Sequence, residues 1–368
     1  MPILDSIMRP AFVCSIAFVV TSSMPLHGER IVLVAGGGAR TNFLDSVAAT
    51  NAALTAPFGV DFDTQANLYI VEMTGHRVRR LAPGGLLSIV AGTGVSGRRG
   101  DNGPASAAEF NGIHNLAISP DGRAIYLADT WNNCVRKIDP LTGRVTTMAG
   151  TGEKGFAGDG GPAESARFGG VYCVSLNPSG DQMFLADLDN RRIRVVGLKS
   201  GIVRTIAGNG QKGIPADGAV ATNAPLVDPR AVIADASGAV YVLERSGHAL
   251  RVVGTDGRIR TIVGTGQKGN SGDGGPALQA TLNGPKHLCF DREGRILIAD
   301  TENHVIRRYS PKDGMIVRIA GTGQAGSKGT GGPPLEVQLR QPHGVYVHAD
   351  GTLYISDSGN NRILKVVP

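Results

Sequence analysis

The chain has 368 residues, of which 53 are Gly and 41% are hydrophobic. That hydrophobic share, with the regular spacing set out below, excludes a Gly-rich disordered segment, and the length is ample for a large core. A formal charge of +6 leans weakly toward anionic partners, no run of five or six like charges marks a polybasic tail, and Cys14, Cys134, Cys173 and Cys289 form neither a CxxC pair nor a zinc-ligand spacing.

In chain order, residues 1–28 come first. Arg9 precedes an apolar run, Ala11 to Val20, and Thr21-Ser22-Ser23 follow it. That order matches the three regions of a secretory signal peptide. The run is shorter than the roughly 20 apolar residues of a spanning helix. The sequence therefore predicts a signal peptide or anchor over 1–28. It predicts an exported chain (periplasmic, extracellular or cell-surface) with one domain over 29–368. Cys14 falls in the signal segment, and the other three cysteines, inside apolar strand patterns, read as buried free thiols.

A repeat fills the rest. Related segments start at Leu68, Ile125, Met183, Val240, Ile296 and Leu353, so successive starts differ by 57, 58, 57, 56 and 57 residues. An Ala-Gly or Val-Gly pair begins at Ala35, Ala91, Ala149, Ala207, Val263 and Ala320. Val60, Leu116, Val174, Val232, Leu288 and Val345 follow these at a constant offset of 25. Each unit reads as four short β-branched strands, a to d. Asp121-Gly122, Ser179-Gly180, Asp256-Gly257 and Asp313-Gly314 supply the positive φ of tight hairpins. A lone four-stranded sheet cannot bury both faces; radial repetition does so in a propeller, and solenoid repeats are much shorter. The sixth unit has no strand d after Arg362–Val367, while a spare one, Arg30 to Gly36, precedes the first strand a. The expectation is an all-β, six-bladed propeller of four-stranded antiparallel blades, its last blade closed by the N-terminal strand.

The run from strand b into strand c, ADTENHVIRR with Asn303-His304-Val305, resembles the signature of NHL-repeat proteins. The AGTG…GDGGPA loops resemble those of the long-loop bacterial members, and the resemblance covers residues 30 to 368. It implies the propeller fold without fixing a function. Among six-bladed relatives, the peptidyl-hydroxyglycine amidating lyases hold zinc with channel histidines. His114 and His343 are similar to that arrangement, but Arg230 stands where a further ligand is wanted.

The a–b and c–d turns are minimal and the d–a loops are near 20 residues, long enough to be functional. The face carrying the d–a and b–c loops is therefore the candidate ligand face. The loops share an acidic column, Asp45, Asp101, Asp159, Asp217 and Asp273, with Thr330 in the sixth unit. One carboxylate per loop is too few for an EF-type calcium site, so these are expected to cap short helices. The carboxylates ending strand b are Glu72, Asp129, Asp187, Glu244, Asp300 and Asp357. They are expected to order the b–c turns by accepting backbone amides.

A ligand site should break the symmetry. At the start of strand a stand Phe58, His114, Tyr172, Arg230, Lys286 and His343, and the next column adds His287. With Trp131, the only tryptophan, the first six are the expected ligand-binding set of a channel mouth. Arg230 and Lys286 suit an anion, and aromatic anchors carry much binding energy. His114, His287 and His343 are the candidate metal ligands, for zinc with an open position or for calcium. No GxSxG, P-loop or HExxH motif is present. The expected function is a binding or interaction module for an unidentified protein, a glycan or a small anionic ligand, most simply as a monomer. The rivals are a metal-dependent lyase or lactonase-like hydrolase and an RNA-binding module. An exported chain disfavours nucleic acid.

Overall fold

The structure is a computed structural model that describes residues 28–39 and 46–368. The expected signal segment, Cys14 and Asp45 lie outside the described residues. Six antiparallel sheets form six blades. Blade 1 runs Pro57–Phe62, Leu68–Glu72, Arg77–Leu81 and Leu86–Ala91. Blade 2 runs Ile113–Ile118, Ile125–Asp129, Cys134–Asp139 and Arg144–Ala149. Blade 3 runs Val171–Leu176, Gln182–Asp187, Arg192–Gly197 and Val203–Ala207. Blade 4 runs Pro229–Ala234, Val240–Glu244, Ala249–Val253 and Ile259–Val263. Blade 5 runs His287–Phe290, Ile296–Asp300, Val305–Ser310 and Met315–Ala320. Blade 6 takes Gly344–Val347, Leu353–Asp357 and Arg362–Val367, and Arg30–Gly36 completes it.

Closure is as expected. Arg30–Gly36 pairs antiparallel with Arg362–Val367, from Arg30 opposite Val367 to Gly36 opposite Arg362. Ile31 and Leu364 are buried there. Strand b is buried along its whole length in blades 1, 2 and 5, because neighbouring blades cover both faces. That is why it reads as a continuous apolar run, not an alternation.

The Ala-Gly column has a backbone cause. In each c–d pair, strand d carries one extra residue just before the Ala, a bulge seen at Val78/Arg79 and Ile306/Arg307 and their equivalents. The Gly that follows has φ near +90° at Gly92, Gly208 and Gly264. A Cβ at Gly264 would lie 2.3 Å from the His248 carbonyl oxygen. Only glycine fits both demands.

The d–a loops cover edges. Gly103–Pro104, in the loop entering blade 2, pairs with that blade's own strand d. Val47–Ala48 and Gly275–Pro276 do the same in blades 1 and 5, and single bridges serve blades 3 and 4. Much of the loop length therefore protects the outer edge strands from pairing with other chains. Cys134, Cys173 and Cys289 are free thiols, the first two buried. Among the described residues no helix is long and apolar enough to cross a membrane.

Candidate functional site: the channel mouth

Each blade is locked by a buried charge network. The strand-c arginine of blades 1 to 5 meets the carboxylate that ends strand b: Arg79 with Glu72 at 2.6 Å, Arg194 with Asp187 at 3.3 Å, and Arg251 with Glu244 at 2.6 Å. Arg136 and Arg307 also reach the loop carboxylates Asp101 and Asp273, at 2.8 and 2.9 Å. In blade 6 the arginine moves two positions back, to Arg362. It pairs with Asp357 at 2.7 Å and donates to Thr330 Oγ1 at 2.9 Å.

Two sequence expectations are corrected here. The loop Asp column does not cap the short helices, whose N-caps make no side-chain bond. It binds buried arginines and strand-d threonines, as Asp159 binds Arg194 and Thr205 at 2.7 Å. The strand-b acids do accept backbone amides, but from the incoming d–a loop: Asn111 to Asp129 at 2.7 Å and Asn283 to Asp300 at 2.8 Å. The b–c turn reaches the acid through a side chain, as Asn303 Nδ2 donates to Asp300 at 2.8 Å. A loop carboxylate paired with a buried arginine fixes its loop more firmly than a cap would.

The b–c histidines also join blades. His76, His248 and His304 adopt positive φ, and each Nδ1 accepts a backbone amide from the next blade, of Gly112, Gly284 and Gln341 at 3.3, 3.2 and 3.1 Å. Asn361 does this across the closure, taking the Ala56 amide at 2.8 Å. Arg192 stacks on Phe156 at 3.7 Å.

The six mouth residues form a chain of contacts from blade to blade. Phe58 stacks on His343 at 3.9 Å and meets His114 edge-on at 5.2 Å. His114 meets Tyr172 at 4.7 Å. The Arg230 guanidinium lies over Tyr172 at 4.8 Å, and its Nη1 donates to the Tyr172 carbonyl at 3.1 Å. Lys286 Nζ donates to His343 Nε2 at 3.2 Å and pairs with Glu302 at 2.7 Å. Trp131 lies over Gly112 and meets His114 at 5.7 Å, leaving 47% of its surface exposed. One half of the mouth is thus aromatic and imidazole, the other cationic.

The protonation states follow from the contacts. His114 Nδ1 lies 2.7 Å from the Gly112 carbonyl and His343 Nδ1 2.8 Å from that of Gln341. The proton of each neutral ring therefore sits on Nδ1. Burial, reinforced by nearby cations, holds both rings well below the usual histidine range. Burial brings Arg230 down to about 10 and lowers Lys286.

The three histidines proposed for a metal are not brought to one point. Phe58 stands between His114 and His343. His287 lies one column deeper, with its Nε2 against Asn115 Nδ2 of the opposite blade at 2.9 Å and its Nδ1 accepting the Val345 amide at 3.4 Å. Among the described residues no three His, Cys, Asp or Glu side chains converge as metal ligands. Sequence reasoning placed Arg191 on the loop-rich face but missed Arg245 and Lys212. They line open clefts beside the mouth, and the signal was available: blade 4 carries Arg245-Ser246 where blades 2 and 5 have Thr130 and Thr301. Those threonines bond a carbonyl of the next blade at 2.7 and 2.8 Å.

The architecture defines the class as an all-β, six-bladed propeller with an asymmetric, partly cationic mouth. A family model described as NHL repeat matches residues 339–366, in blade 6 of the six-bladed propeller. The chain is 26% identical over 320 residues to the chloroplastic protein SUPPRESSOR OF QUENCHING 1 of Arabidopsis thaliana, covering 84% of this chain and 30% of that protein. It is 27% identical to NHL repeat-containing protein 2 of Gallus gallus, covering 84% of this chain and 46% of that protein. The chain spans less than half the length of these relatives. A solved auxiliary nutrient binding protein from Bacteroides thetaiotaomicron superposes with a TM-score of 0.67 at 13% identity, over 92% of this chain and 76% of that one.

Proposed function

We propose that this propeller is an exported, monomeric binding module that captures a small anionic ligand at the channel mouth. One observation carries the reading. Arg230 is 4% exposed, yet among the described residues no carboxylate lies within ion-pair distance of it, and its Nε has no partner. The buried arginines of strand c all have a carboxylate. A buried unpaired cation is costly, and a ligand carboxylate, sulfate or phosphate would supply the missing counter-charge through the planar guanidinium. Lys286 adds a second cation, and Tyr172, Phe58 and Trp131 add apolar surface. The apolar run Ala11–Val20 supports export, and a structural neighbour named for nutrient binding fits a binding role.

The test is titration calorimetry with sulfate, phosphate and small carboxylates. Binding should weaken with salt, and both Arg230→Met and Lys286→Met should remove it. Binding unchanged in Arg230→Met would reject the reading.

A further inference from the structure

Two open clefts adjoin the mouth, and their lining says more about the ligand. The first, of about 470 Å³, lies between blades 3 and 4 and includes Lys154, Asp189, Arg191, Lys212, Asp228 and Arg245. The second, of about 420 Å³, lies between blades 4 and 5 and includes Arg245, Ser246, Lys268, Asn283, Lys286 and Glu302. Each volume is within the range of a small-molecule site, about 300–1,000 Å³. Arg245 borders both clefts, and Lys286 belongs both to the second and to the mouth. The three spaces therefore form one tract along blades 3 to 5.

The lining mixes charges in a specific way. Lys154 pairs with Asp189 at 2.7 Å, Arg245 with Asp228 at 2.8 Å and Lys286 with Glu302 at 2.7 Å. Asp189 and Asp228 use a single oxygen in these contacts, and Ser246 donates to that same Asp228 oxygen at 2.6 Å. Arg191, Lys212 and Lys268 have no ion-pair partner among the described residues, and Arg191 Nε is buried without a hydrogen bond. Free cations thus alternate with carboxylates that still have an acceptor to offer.

Resting on the anion-binding reading of the mouth, we propose that the tract binds an acidic oligosaccharide. Its carboxylates meet Arg230, Arg191, Lys212 and Lys268, and its hydroxyls donate to Asp189 and Asp228. The pattern favours sugar over single-stranded nucleic acid for two reasons. Phosphodiesters have no donors for carboxylates, which would repel them. Nucleic-acid grooves of this kind also need aromatic platforms along the strand, whereas neither cleft is lined by Phe, Tyr or Trp: the apolar side chains of the first are Leu188 and Val227, and the one ring lining the second is the His248 imidazole.

The test measures the full chain against galacturonate, tetragalacturonate, the neutral tetrasaccharide of the same linkage type and a single-stranded oligonucleotide. Tetragalacturonate should bind at least tenfold tighter than galacturonate, and the neutral sugar should bind far more weakly. Arg191→Gln with Lys212→Gln should cost tetragalacturonate about tenfold per cation and leave galacturonate unchanged, and circular dichroism should show an intact fold. Arg230→Met should lose both acidic sugars. Equal affinity for monomer and tetramer, or insensitivity of the tetramer to the cleft variant, overturns the extended tract while leaving the mouth standing. Loss of the monomer's dependence on Arg230 overturns the mouth itself. Tighter binding of the oligonucleotide than of tetragalacturonate overturns the saccharide class.

Discussion

At the level of single residues, the buried arginines separate into two kinds. Those on strand c hold a carboxylate and tie strand b, strand c and the incoming loop together. Arg230 sits at the start of strand a, stacked on Tyr172, with no counter-ion among the described residues. On the proposed function, the stability that its burial costs is offset by ligand binding. Arg230→Met should therefore raise the stability of the ligand-free protein by about 1–2 kcal/mol while abolishing anion binding, read by denaturant unfolding and calorimetry on the same sample. A destabilised variant would show that the guanidinium is structural. His304 gives a second residue-scale prediction. Its Nδ1 must be unprotonated to accept the Gln341 amide, and burial holds its pKa below the ordinary value. The unfolded chain then takes up a proton near pH 6.5 that the folded chain resists, so this residue's contribution is intact above pH 6.5 and is lost as pH falls below it. His304→Asn keeps an acceptor of the type that Asn361 uses and removes the titration. The variant should gain on the parent in urea midpoint between pH 7 and pH 5. Buried carboxylates act with the opposite sign: burial raises Asp300 to about 7 and Asp129 and Asp187 to about 6. Comparing variant with parent cancels that background.

At the level of the element, the sequence carried strand order, strand bounds and closure. Each rests on local backbone chemistry: apolar runs for doubly covered strands, Asp-Gly turns, and glycine at a bulge. The loop carboxylates were misjudged because their partner is the arginine about 35 residues later on strand c, a distance that local capping rules cannot see. The column at the start of strand a was legible from its broken symmetry, and the structure brings its six side chains into one chain of contacts. The clefts were missed because Lys154, Arg191, Lys212 and Arg245 come from four different loops of two blades. Gly264 provides the test of the bulge argument. It needs positive φ, and a Cβ would meet the His248 carbonyl. Gly264→Ala should cost about 2–3 kcal/mol. Gly257, also at positive φ but with nothing near its Cβ position, should lose less on the same change. Equal losses would mean that φ strain alone sets the requirement.

At the level of the whole molecule, stability depends on the ring being closed. Blades contact their neighbours on both sides, so the buried faces of blades 6 and 1 exist only while blade 6 is complete. Arg30–Gly36 supplies its outer strand. Residue Ile31 also exchanges backbone hydrogen bonds with the covering loop, donating to Gly332 at 2.9 Å and accepting from Gly331 at 2.7 Å. Deleting the strand would strip the edge of Arg362–Val367, uncover Leu364 and free that loop, lowering the melting temperature by more than about 10 °C. Covalent order, however, should not matter. Arg30 lies opposite Val367, where the other blades place a tight c–d turn. A permuted chain that begins at Ser46, joins Val367 to Arg30 through the four-residue turn Pro311-Lys312-Asp313-Gly314 of blade 5, which links the opposed pair Ser310 and Met315, and ends after Gly38 should melt within a few degrees of the parent. The joined strand is then a hairpin partner closing a short loop, with less entropy to lose than one recruited from far along the chain. A deletion that melts like the parent, or a permuted chain that unfolds like the deletion, would contradict closure by this strand.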